Sequence, residues 1–170
     1  CLIGELDEIG IIDDRRLIAE IEDSYRRHGA GLVRFATVLV GPDDAQDVVS
    51  SAVLRVLDKS RGGIESPKAY LYQAVANQAR NHKRGEARRR QRDSRVAGQD
   101  GVTLLPEPYP EVRRAVEKLS VRQRAVVYLT YWEDLNESAV AEHLGISAGS
   151  VRSHLARARR HLRRGLQEHE

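Results

Sequence analysis

The sequence predicts an all-α fold of two small helical domains joined by a flexible linker, the second containing a helix-turn-helix. Three observations carry this expectation. Apolar residues recur at three- and four-residue steps in several segments, and no stretch alternates apolar and polar residues as a strand would. Gly98, Gly101, Pro106, Pro108 and Pro110 interrupt residues 93–110, where no helical period survives. Residues 137–159 place a small residue, a glycine and a capping serine at the spacing of two helices joined by a tight turn.

Residues 1–13 are expected to be an acidic leader without fixed structure. The first domain, residues 14–92, opens with a helix over about residues 14–28, on which Leu17, Ile18, Ile21 and Tyr25 share a face. Gly29 and Gly31 predict a loosened junction before a short apolar helix over 32–40. Gly41-Pro42-Asp43-Asp44 then starts a new helix, with proline in the first turn and carboxylates against the positive end of the dipole. Ala45, Val48, Val49, Ala52, Val53, Val56 and Leu57 trace its apolar face. A loop is expected over 59–65. Ser66-Pro67 opens a further helix with Tyr70, Leu71, Ala74, Val75 and Ala79 facing inward and Tyr72 exposed.

The second domain is expected over residues 111–166. Ser120-Val121-Arg122-Gln123 has the pattern of a capping box ahead of a helix carrying Val126, Val127, Leu129 and Tyr131. Asn136 can cap the first helix of the helix-turn-helix. Within the motif, Ala141 permits close helix approach, Gly145 permits a left-handed turn, and Ser147 can cap the second helix. Val140, Leu144, Val151 and Leu155 form the apolar seam. Arg152, Ser153, His154 and Arg157 are left facing outward, where such a motif meets a DNA duplex.

Charge is segregated rather than spread. The 170-residue chain has a formal net charge of only +3. Residues 1–24 nevertheless hold eight acidic side chains against two arginines, and residues 80–95 hold eight basic ones against Glu86 and Asp93. Such segregation points to a polyanionic partner. Cys1 is the single cysteine, which excludes disulfide frameworks and cysteine zinc sites, and the six histidines show no ligand-like spacing. No metal and no cofactor is expected. No apolar run approaches the ~18 residues of a membrane span, and no segment resembles a signal peptide, so a cytoplasmic protein is expected.

Catalysis finds no support. Asp43, Asp44 and Asp47 have the residue types of an acid–base or metal site, but their place in the first turn of a helix already accounts for them. Phosphate-cradling loops, nucleophile–base pairs and dinucleotide fingerprints are absent. The basic run beyond Arg80 continues a helix that carries Gln73, Asn77, Gln78, Asn81 and His82. Arginine and lysine can hold phosphates there while amides and an aromatic meet unstacked bases, which suits partly opened DNA.

Several segments carry a family resemblance. Leu119-Ser120-Val121-Arg122-Gln123-Arg124-Ala125-Val126-Val127, Tyr131-Trp132-Glu133-Asp134-Leu135 and the helix-turn-helix together resemble the C-terminal domain of bacterial RNA polymerase sigma factors, most closely the extracytoplasmic-function class. In the front half, Asp44-Ala45-Gln46-Asp47-Val48-Val49 is similar to that class's polymerase-docking helix. Residues 66–72 and 75–81 resemble its promoter-melting helix. Family members often carry Gln and Phe where Ser50 and Val53 stand, and Trp where Tyr70 stands.

The resemblance implies a transcription initiation factor, not an enzyme, that takes core RNA polymerase to specific promoters and assists their melting. Asp43, Asp44, Gln46, Asp47, Ser50 and Ser51 would dock on the clamp helices of the largest polymerase subunit. Arg61, Tyr72, Asn77, Arg80, Asn81, Lys83, Arg84 and Arg88 would meet the minus-ten element as it opens. Ser147, Ser150, Arg152, Ser153, His154 and Arg157 would bind the minus-thirty-five element. Promoter DNA, the polymerase clamp and flap, and an anti-sigma factor are the partners implied. A stand-alone helix-turn-helix regulator, with the first domain as a dimerisation or sensor module, remains the alternative, and a polymerase-binding adaptor a more distant one.

Overall fold

A computed structural model describes the backbone of residues 2–59, 64–92 and 110–167, and the side chains of 14–58, 64–92, 111–165 and 167. Among the described residues the chain is all-helical. Its elements are α1 (Leu2–Val40), α2 (Pro42–Lys59), α3 (Pro67–Arg92), α4 (Pro110–Glu117), α5 (Val121–Tyr131), α6 (Glu137–Leu144) and α7 (Ala148–Gln167). Helices α1, α2 and α3 pack on one another as a first unit, and α4 to α7 form a second. Residues 93–109 of the expected linker, and Arg61 with most of the 59–65 loop, lie outside the described residues.

The expected break near Gly29 and Gly31 does not exist. One helix runs through from Leu2 to Val40, beginning inside the stretch expected to be a leader without fixed structure. Gly31 is there for closeness rather than looseness: a β-carbon on it would lie 2.9 Å from Tyr72 Oη. A glycine inside a helix costs about 1 kcal/mol relative to alanine, an amount that packing of this kind offsets.

The capping expectations hold. Ser120 Oγ accepts from Gln123 N–H at 3.2 Å, and Gln123 Oε1 accepts from Ser120 N–H at 2.9 Å, a reciprocal capping box at the start of α5. Asn136 Oδ1 caps α6 through the Ala139 N–H at 2.9 Å, and Ser66 Oγ receives the Ala69 N–H at 3.3 Å. Gly145 adopts φ 60° and ψ 41° to end α6, and the Ile146 N–H closes the turn on Ala141 O at 3.1 Å.

A continuous buried core crosses from the first unit to the second. Ile21, Leu32, Phe35, Leu39, Val49 and Val75 belong to the same apolar cluster as Val126, Leu129, Val140 and Val151. At the junction the Phe35 ring lies 5.2 Å from Tyr72 and 5.4 Å from Tyr128, both tilted. Tyr72 also meets His143 edge-on at 5.4 Å. Arg124 ties the backbone together by donating to Leu119 O at 3.1 Å, Glu117 O at 2.8 Å and, across the junction, Leu39 O at 3.1 Å. No described helix is long and apolar enough to cross a membrane.

Candidate nucleic-acid interface

The helix-turn-helix places its second helix at the surface. Val140, Leu144, Val151 and Leu155 are buried and form the seam between α6 and α7. Ser147 Oγ accepts from the Ser150 N–H at 3.1 Å and lies 2.9 Å from Ser150 Oγ, so both hydroxyls sit at the start of α7. Arg152, Ser153 and Arg157 are exposed on the outer face, and His154 is half-buried beside them. Burial first, then the charges of Arg122, Arg157 and Arg80, lower the His154 pKa, so its imidazole serves as a neutral hydrogen-bonding group. Glu137 on α6 reaches Arg152, with Oε2 3.5 Å from Nε. Glu137 arrives from the other helix of the motif, so the sequence of α7 alone, with no acid before Glu168, does not reveal it.

The corresponding face of α3 is concave. A pocket of about 200 Å³ opens between α2 and α3, where Arg55 and Tyr70 stand against the amides Gln73, Asn77, Gln78 and Asn81. An aromatic ring and several amides around one recess can stack and hydrogen-bond a base taken out of a duplex. Asn77, Asn81, Arg84 and Arg88 are exposed along this helix, while Arg80 and Lys83 are half-buried. Sequence reasoning found the amides but missed Arg55, which α2 contributes; Tyr70, expected on the inner face, packs against the core and also lines the pocket.

Tyr72 is a correction. Expected to be exposed, it is 2% exposed, enclosed by Phe35, His143 and the Gly31 backbone. Its hydroxyl donates to Glu133 Oε1 at 3.5 Å, and burial followed by the Glu133 charge raises its pKa far above the ordinary tyrosine range. Helix α1 and the second unit cover it together, a fact that the helical period of α3 alone does not contain. Tyr72 does not meet a base in this arrangement.

On α2, Asp43, Gln46, Asp47 and Ser50 form an exposed polar face, whereas Asp44 and Ser51 are half-buried. Asp44 turns toward α3: its Oδ2 is 3.1 Å from His82 Nε2, which lies 3.6 Å from Glu86 Oε1. Donor atoms of Asp44, His82 and Glu86 lie within 4.8 Å of one another, a juxtaposition that the sequence reading of the histidines did not anticipate. Lys83 Nζ is 2.9 Å from the other Glu86 oxygen. The group ties the start of α2 to the middle of α3 and so fixes the exposed polar face of α2 relative to the pocket.

Comparison with known proteins agrees with this geometry. Residues 24–89 match the family model of sigma-70 region 2, and residues 110–162 match that of sigma-70 region 4. The chain is 31% identical over 160 residues to the RNA polymerase sigma-E factor of Streptomyces avermitilis, covering 90% of this chain and 88% of the relative. It is likewise 31% identical over 159 residues to the ECF RNA polymerase sigma factor SigL of Mycobacterium tuberculosis, covering 85% and 87%. Among solved structures, the fold is similar to the sigma factor RpoE in its complex with the anti-sigma factor NepR from Bartonella quintana. There the TM-score is 0.67 at 22% identity, over 89% of this chain and 99% of that one. CnrH, solved with the cytosolic domain of CnrY, is similar at a TM-score of 0.58 and 21% identity, over 93% and 99%.

Proposed function

Because this chain belongs to the sigma-70 family, with a region 2 and a region 4 and relatives of the extracytoplasmic-function class, we propose a division of promoter work between its two helical units. As a sigma factor it is a non-enzymatic initiation factor that directs core RNA polymerase to promoters, and the polymerase carries out the synthesis. In the division proposed, α7 reads the minus-thirty-five element as duplex. Ser147, Ser150, Arg152, Ser153, His154 and Arg157 face the DNA, the side chains at the start of the helix toward base edges and the later arginines toward phosphates.

The first unit takes the minus-ten element as it opens. Asn77, Arg80, Asn81, Lys83, Arg84 and Arg88, together with Arg61, hold the separated strand, and the pocket between Tyr70 and the amides of α3 receives an unstacked base. Unstacking costs a few kcal/mol, so a factor that opens DNA gains by binding the opened form. Docking of α7 on the upstream element raises the local concentration of the pocket over the downstream one. The exposed face of α2, with Asp43, Gln46, Asp47 and Ser50 flanked by Asp44 and Ser51, meets the clamp helices of the largest polymerase subunit, and the second unit meets the flap. The structure of RpoE with the anti-sigma factor NepR supports an anti-sigma factor as a further partner. The site of action is the cytoplasm, where polymerase and promoter DNA are found.

The observation that carries this reading is the pairing of a convex, arginine-bearing helix with a concave, amide-lined pocket, each on its own helical unit. The test adds the purified chain to sigma-free core polymerase on promoter DNA and follows polymerase binding, strand opening and transcript. Binding with opening is expected. Absence of core binding would return the chain to the class of stand-alone helix-turn-helix regulators, and binding without opening to that of adaptors.

A further inference from the structure

A cleft of about 540 Å³ lies where the two units meet. Arg80, Lys83 and Arg84 of α3 form one wall, and Arg122 of α5 with His154 of α7 form the other. Below it, Ala76, Asn77 and Arg80 close against Val121, Arg122, Ala125 and Leu144, leaving a gap of only about 10 Å³. Four fixed cations thus converge from two units on one space, and no carboxylate lines it. Lys83 is in contact with Glu86, but Arg80, Arg84 and Arg122 form no ion pair with a described residue. Burial lowers the Arg122 pKa most, and the charges of Arg80 and Arg84, which face it across the junction, lower it further.

This arrangement is at odds with the rest of the junction. The Phe35, Tyr72 and Tyr128 rings and the Arg124 bond to Leu39 O draw the units together, while the cleft pushes them apart. A simple salt ion can neutralise one cation at a time. A short chain of phosphates carries several charges at phosphate spacing and accepts bidentate arginine hydrogen bonds. The cleft volume falls within the ~300–1,000 Å³ common for small-molecule sites.

We propose that this cleft binds a short polyphosphate group, free or carried on a nucleoside, and that binding locks the two units together in the arrangement described. The residues concerned overlap those assigned above to promoter DNA, so the ligand would compete with the promoter. That consequence rests on the sigma reading, whereas binding and locking do not.

The experiment uses the full chain with Cys1→Ser, Leu54→Cys and His161→Cys, which labels exposed positions on α2 and α7 for energy transfer. Inorganic tripolyphosphate is titrated by calorimetry and, at the urea concentration that halves energy transfer between the units, by transfer efficiency, against sodium chloride at matched ionic strength. One saturable site and a rise in transfer are expected with tripolyphosphate only. Arg122→Glu, and separately the milder Arg84→Ala at an exposed position, should weaken binding at least tenfold and threefold. An adenosine triphosphate arm separates the two sources: equal affinity shows that the phosphates alone are recognised, and tighter binding shows that the nucleoside adds contacts. Binding that leaves transfer unchanged, or that neither variant weakens, would overturn the proposal. A short DNA duplex that raises transfer as tripolyphosphate does would also overturn it, by assigning the cleft to DNA. A failure of the sigma reading would instead appear as lost core-polymerase binding, which this titration does not touch.

Discussion

On α7 the arginines stand out from a convex surface, whereas on α3 the amides line a recess that the neighbouring helix α2 completes. The first surface suits a partner that arrives as a rigid duplex with grooves of its own. The second suits a partner that has lost its stacking and must be given a new one. The two also differ in what holds them. The α7 surface depends on contacts inside its own unit, with α6 across the turn and with α4 and α5 beneath it. The α3 surface depends on α1, α2 and, in the second unit, α5 and α6, through Gly31, Arg55 and the rings around Tyr72. A surface built locally tolerates change elsewhere, and one built over long range does not.

The strongest way to break this contrast is to remove Phe35, whose buried ring touches both Tyr72 and Tyr128. Phe35→Ala should cost about 3–5 kcal/mol in denaturant unfolding, the usual loss for a large core aromatic. The calorimetric transition should divide in two, with the second unit keeping its midpoint and its binding to isolated minus-thirty-five duplex. A single transition that shifts as a whole would mean that α7 depends on the junction as much as α3 does.

The same contrast explains what could be read in the sequence. The helix-turn-helix was legible to the level of individual caps, because Ala141, Gly145 and Ser147 act on residues three to five positions away. The apolar face of α2 and the capping box at Ser120 were legible for the same reason. Gly31 looked like a break because its partner, Tyr72, is 41 positions further along the chain. Tyr72 looked exposed because what covers it, His143 and Phe35, comes from α6 and α1. No local pattern marks Arg124 as a tie, since its bond to Leu39 O spans 85 positions. Apart from the early start of α1 at Leu2, the signals that failed were long-range, and they gather at the junction and around the pocket.

The next test sharpens the division of work. Arg152→Ala should weaken binding to minus-thirty-five duplex by about 1–3 kcal/mol and relax its sequence preference if the side chain reaches a base. Asn77→Ala should leave that affinity unchanged, measured by anisotropy, and slow the fluorescence rise of 2-aminopurine placed in the minus-ten element. Equal effects of both substitutions on both readouts would remove the division.

Acid should act on the junction through the first helix of the motif, which carries His143. His143 is buried against Tyr72, and burial first, then the Lys68 charge, lowers its pKa, against opposing contributions from its bond to Ala139 O and from Glu142 and Glu133. Nδ1 sits 2.8 Å from Ala139 O, which accepts its proton. The packed state therefore favours the neutral ring. Above the ordinary histidine value of 6.5 there is no penalty, and as pH falls below it the separated state takes up the proton first. Energy transfer between the labelled units should be flat from about pH 8 to 7 and fall as pH drops below about 6.5. His143→Gln should reduce that slope. Part of it should persist, because His154 and His28 are lowered by burial as well.

The smallest expected effect is the one most specific to α7. Glu137 does two things: it lies in the first turn of α6, where a carboxylate favours the helix, and it sits 3.5 Å from the exposed Arg152. The first role is worth about 0.3–1 kcal/mol, and an exposed pair contributes about 0.2–1 kcal/mol. Glu137→Gln should therefore lower stability slightly. Toward DNA the sign reverses, since Arg152 no longer has to leave a carboxylate before it meets the duplex, and a negative charge is removed from beside the phosphates. A few-fold gain in minus-thirty-five affinity at low salt, fading as salt is raised, is the expected outcome in anisotropy titrations. If affinity falls with stability, Glu137 is holding Arg152 in its binding position, and the α7 surface is as dependent on its supports as the pocket on α3.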